Sequence, residues 1–153
     1  MTVRLNFTRR PVLPDRQSQI QTDRRRNAWR NPLLWMLQGW LAMFYLAAGY
    51  AKLTEPSHLL ELLLTWPAWV RREFVVGIGL AETGLAIGVL APALSWRLHP
   101  VLLASSGAIF FLAGTMSGLH LILGDAGLAG INAVLMIIAA LLLYGRWRQP
   151  MRT

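Results

Sequence analysis

Four long apolar runs, 33–52, 74–94, 101–123 and 126–144, leave this chain little freedom in what it can fold into. Each comes close to the ~20 residues that a helix rising 1.5 Å per residue needs to cross ~30 Å of hydrocarbon. Lipid offers no water to backbone N–H and C=O groups, so a spanning segment must satisfy them within itself or close into a barrel. A barrel would need ten-residue stretches of alternating hydrophobicity, and the sequence has none. Pro100 suits the first turn of the third run, and Gly124-Asp125 separates the third run from the fourth. With such short connections the helices are antiparallel neighbours. The reading is an all-α integral membrane protein, an antiparallel four-helix bundle spanning 33–145. It is flanked by a basic, disordered tail over 1–32, with Asn31-Pro32 capping the first helix, and a short basic tail over 146–153.

Charge fixes the expected orientation. The chain has 15 Lys and Arg against 7 Asp and Glu, a net charge of +8. In a soluble domain that balance would suggest nucleic acid, but here the basic residues lie between and outside the apolar runs, so no nucleic-acid partner is expected. Twelve of the 15 fall on one side of a four-span topology, leaving Lys52, Arg71 and Arg72 opposite. The positive-inside bias makes the first side cytoplasmic, with both termini there and the lipid bilayer as the primary partner. Trp35, Trp96, Trp147 and Tyr144 near one boundary, and Tyr50, Trp66 and Trp69 near the other, fit interfacial belts. With no cysteine, the chain has no disulfide, thiolate site or thioether-linked haem.

The connection 54–73 is too apolar to float in water, with leucines at 59, 60, 62, 63 and 64 followed by Trp66, Trp69 and Val70. It is expected to form an interfacial amphipathic segment between helices 1 and 2, broken at Trp66-Pro67. It would serve as a lid, as a docking surface, or as a gate over a lipid-accessible pocket.

Glu82 stands out inside the second run, because a carboxylate there is costly and normally faces the bundle interior. Counting along each helix places Glu82 roughly 12 Å below the outer end, Asn132 roughly 9 Å, and Thr115 and Tyr45 roughly 10 Å. These four are expected to form one polar layer, with Lys52 as counter-ion to Glu82 and His120 nearby. Such a layer would act as hydrogen-bond glue between helices, as a proton relay, or as a partner for a quinone or other lipophilic ligand. Small residues at Gly77, Ala81, Gly84 and Gly88, and at Gly114 and Gly118, would allow close helix packing. No metal spacing, nucleophile elbow or phosphate loop is present.

The segment Phe44-Tyr45-Leu46-Ala47-Ala48-Gly49-Tyr50-Ala51-Lys52-Leu53, followed by Gly79-Leu80-Ala81-Glu82-Thr83-Gly84-Leu85-Ala86-Ile87-Gly88, resembles the DoxX-like family of small four-helix membrane proteins. The family's alanine-glycine-x-x-lysine pattern falls on Ala48, Gly49 and Lys52, and its glutamate followed by glycines on Glu82, Gly84 and Gly88. A further basic position would fall on Arg97, displaced by the Ala91-Pro92-Ala93-Leu94 insertion. The resemblance implies respiratory or redox chemistry, since relatives include a thiosulfate:quinone oxidoreductase subunit and a partner of superoxide- and thiol-handling proteins. It leads to the expectation of a small subunit or partner of a quinone-linked complex in a bacterial inner membrane. Such a subunit would have no intrinsic cofactor, a quinone as ligand, and a membrane or periplasmic protein as partner. A carrier for protons or a small solute, as an oligomer, and a structural or assembly role are the alternatives.

Overall fold

The computed structural model describes the backbone of residues 16–64 and 66–148, and side chains from Asn31 onward within that range except Trp96. Residues 1–15 and 149–153, which belong to the two expected tails, lie outside the described residues. Among the described residues there is no strand. Five helices follow in order: α1 (Arg16–Thr54), α2 (Ser57–Leu63), α3 (Arg72–Leu90), α4 (His99–Ile122) and α5 (Ala126–Trp147). Short 3-10 turns cover Trp66–Trp69, Ala91–Ala93 and Trp96–Leu98. Four stretches are long and apolar enough to cross a membrane, Asn31–Thr54, Arg72–Ala93, His99–Ile122 and Ala126–Trp147. This is the all-α membrane bundle expected from the four apolar runs.

The chain divides into two compact units, 1–32 and 33–153. In the first, residues 16–32 run as part of α1, which passes through Pro32 in place of the cap expected at Asn31. Gln and Arg are good helix formers, and a helix that is polar all round carries no apolar periodicity to betray it. The second unit holds the bundle. Its core runs along the inner faces of the four spans through Leu41, Tyr45, Val89, Ile109, Leu135 and Leu142, while Met36, Phe111, Ile122 and Ile137 point outward. An apolar exterior around an equally apolar interior is what lipid as solvent permits.

Local sequence accounts for the helix ends. Pro100 sits in the first turn of α4, where a missing N–H costs nothing. Gly124 has φ of +80°, the left-handed conformation that favours glycine. Asp125 then caps α5, its carboxylate accepting the Leu128 N–H at 3.0 Å. Between α1 and α3, α2 and the turn after it lie against the bundle through Leu60, Trp66 and Val75, with Leu62 and Trp69 turned outward.

Helix contact depends on a few glycines. A Cβ on Gly49 would stand 2.5 Å from Thr83 Oγ1 and 2.7 Å from the Gly79 carbonyl, and one on Gly79 would stand 2.9 Å from Lys52 Cβ. Gly88 is similarly closed by Ser105, Gly114 by Met136 and Gly145 by Leu34. Gly77, Gly84 and Gly118 have open space around them, so their expected packing role is corrected. Gly49→Ala should therefore force α1 from α3 and lower stability by about 1–3 kcal/mol, whereas Gly84→Ala should change it by no more than about 0.5 kcal/mol. Reversible unfolding in mixed detergent–SDS micelles checks both.

Candidate functional site

The close crossing of α1 and α3 brings Lys52 onto Glu82. Gly49 and Gly79 let the two backbones meet, and one turn further along each helix the charged side chains point into the same space. Lys52 Nζ donates to both carboxylate oxygens of Glu82, at 2.9 and 2.8 Å, and both residues are buried. A pair held this way offsets much of the cost of taking two charges out of water, because each charge meets its opposite at contact distance.

A cavity of about 220 Å³ opens beside the pair. Tyr45, Ala48 and Lys52 of α1, Glu82 of α3, Met116 and His120 of α4, and Ile131 and Asn132 of α5 line it, under Leu60, Leu63 and Trp66. His120 is 2% exposed, and its Nδ1 has no hydrogen-bond partner among the described residues. Tyr45, also buried, directs its ring against Phe44, and its hydroxyl makes no hydrogen bond among the described residues. Asn132 spends one amide hydrogen on the Leu128 carbonyl of its own helix, at 2.9 Å. A neighbouring bond, from Ser117 Oγ to the Ala129 carbonyl at 2.9 Å, ties α4 to α5.

The structure thus gathers five of the six residues singled out in the sequence, Glu82, Lys52, Asn132, Tyr45 and His120, around one space. Thr115 does not join them. It is exposed on the outer face of α4 and returns its hydroxyl to the Phe111 carbonyl at 2.9 Å. Depth along a helix placed it correctly in height but said nothing of azimuth. A threonine can satisfy itself against the preceding turn and face lipid. In the loop, Trp66 is buried as part of the cavity roof, whereas Trp69 is 77% exposed and stands apart from it.

A second buried polar cluster escaped the sequence reading. At the opposite end of the bundle, Gln38 Nε2 donates to the Val89 carbonyl at 2.7 Å, and Arg146 Nη2 donates to Gln38 Oε1 at 2.9 Å. Arg146, assigned from sequence to a basic tail, is instead fully buried near the end of α5, its guanidinium 4.8 Å from the Trp35 ring centroid. Its length and planar donors let it fold back into the bundle end, where a charged residue just past an apolar run reads as solvated. His99 is the first residue of α4 and 2% exposed. Among the described residues, no three His, Asp or Glu side chains gather as a metal site.

Four helices long and apolar enough to cross a membrane, closed around a buried ion pair and a small cavity, define a polytopic helical membrane protein. The match to the DoxX-like family covers residues 36–142, and the chain belongs to that family. No curated protein and no solved structure matches it significantly.

Removing one member of the pair leaves the other charge buried without compensation. Lys52→Met should destabilise the protein by about 3–5 kcal/mol, and Lys52→Met combined with Glu82→Leu should recover most of that loss. A double-mutant cycle on detergent-solubilised protein measures the coupling. Additive single effects would show that the contact contributes nothing.

Proposed function

We propose that this protein is a small subunit or partner of a quinone-linked redox complex, with the space around Lys52 and Glu82 holding a quinone-type headgroup. The observation that carries this reading is His120 Nδ1, buried without a hydrogen-bond partner among the described residues on a side chain that lines a cavity shared with Tyr45. Buried polar groups are normally paired, so an unmet nitrogen on the wall of a mainly apolar space fits a ligand that brings its own hydrogen-bonding atoms. A quinone supplies two-electron, two-proton chemistry when bound. His120, Tyr45, Asn132 and Lys52 would hold its oxygens. The Lys52 ammonium would polarise an oxygen, His120 Nδ1 would hold or pass a proton, and Leu60 and Trp66 would keep water out.

The family's link to respiratory and redox proteins supports the same reading. Electrons would come from a membrane or periplasmic partner, because the residues gathered here include no redox centre of their own. The placement of the basic residues supports an orientation with both termini cytoplasmic, and the family resemblance supports a bacterial inner membrane. The cavity then lies in the outer half of the bilayer.

Saturable binding of decylubiquinone to the protein in nanodiscs, read by quenching of tryptophan fluorescence, tests the proposal. Glu82→Gln and His120→Ala should each weaken it about tenfold, or ~1.4 kcal/mol. Absence of saturable binding to folded wild-type protein, or wild-type affinity in both variants, overturns the reading.

A further inference from the structure

The cavity's lining is uneven in what it shows to the outside. Leu63 of α2 and Ile131 of α5 are the two described lining residues that are also exposed on the molecular surface, at 65% and 46%. Both are apolar. Along the bundle axis the way is closed instead, because Leu60 and Trp66 are 1% and 4% exposed and pack with Val75, Leu119 and Leu123 into a continuous apolar roof. A ligand arriving from water would have to part that roof. The lining reaches the surface instead at those two hydrocarbon side chains.

The interior limits what can enter. About 220 Å³ accommodates a single ring-sized head and is below the range of pockets that enclose a whole drug-sized molecule. Lys52 contacts both oxygens of Glu82, so the pair neutralises itself and offers no spare charge to an ionic head. Of the lining side chains, His120 carries a buried nitrogen with no hydrogen-bond partner among the described residues, and Tyr45 lines the same space. We infer that the cavity is loaded sideways from the bilayer, through a portal edged by Leu63 and Ile131. The occupant is an uncharged amphiphile whose hydrogen-bonding head sits against His120 and Tyr45 and whose apolar tail stays in lipid. This deepens the quinone reading and relies on it only for the identity of the head.

The chain has no cysteine, so Ala48→Cys in the full-length protein places a single thiol in the cavity wall. In liposomes, lipid-soluble N-phenylmaleimide should modify it faster than the permanently charged trimethylammonium thiosulfonate by about tenfold or more, relative to an exposed Ser57→Cys control, since a charge is excluded from an apolar passage. Adding Ile131→Trp or Leu63→Trp should slow the maleimide about fivefold or more by filling the gap, whereas Ile137→Trp on the outer face of α5 should not. Equal rates for the two reagents, or no effect of both portal tryptophans in folded protein, would overturn side entry. Decylubiquinone should protect the thiol. Side-entry behaviour without that protection would sink the quinone assignment of the head alone, leaving the portal and its uncharged amphiphile in place.

Discussion

A charge placed in hydrocarbon must bring its own counter-charge, and much of this bundle is arranged around that requirement at Lys52 and Glu82. The salt bridge needs two helices close enough for a lysine one turn from a helix end to reach a carboxylate well inside the next span. Gly49 and Gly79 supply the approach, since any Cβ at Gly49 would meet Thr83 and the Gly79 carbonyl. The two glycines and the two charges are thus one device, the former setting the distance at which the latter cancel. The α2 segment completes it from outside. Leu60 and Trp66 exclude water from the pair, so the interaction acts in a low-dielectric setting where both its attraction and the cost of breaking it are large.

Most of the fold was legible because lipid imposes a simple rule. Span length and hydropathy located the four crossing helices to within a few residues, and Pro100, Gly124 and Asp125 marked helix ends through backbone chemistry that depends little on tertiary context. The helical count of 1.5 Å per residue also brought Glu82, Tyr45 and Asn132 to similar heights. It could not assign azimuth, and Thr115 shows the consequence, with a hydroxyl satisfied by Phe111 O on the outer face. The early start of α1 was hidden for a related reason. Residues 16–30 are helical without an apolar face, and periodicity detects only helices that have one.

Gln38 and Arg146 were missed because their roles exist only through contacts distant in sequence. Where α3 tightens into a 3-10 turn, the carbonyl of Val89 would receive the N–H of residue 92, which is Pro92 and has none. Gln38, 51 positions away, supplies the missing donor. Its amide oxygen then accepts from Arg146, so one side chain joins α1 to the ends of α3 and α5. Neither glutamine in an apolar run nor arginine after one announces this. A proline that orphans a carbonyl three residues before it is the only local signal, and it does not say which residue answers it.

The two buried polar clusters differ in a way that bears on function. At the Gln38 end, both halves of the amide are used, one on a carbonyl left without a donor and the other on a guanidinium that also stacks on Trp35. That arrangement ties α1 to the ends of α3 and α5. At the Lys52 end, the charges are matched, but His120 Nδ1 has no hydrogen-bond partner among the described residues, and its side chain lines open volume. At this end the bundle tolerates a void and a buried unmet nitrogen beneath a roof of leucine and tryptophan. The ligand proposed above would offset such a cost at the end of the bundle covered by α2.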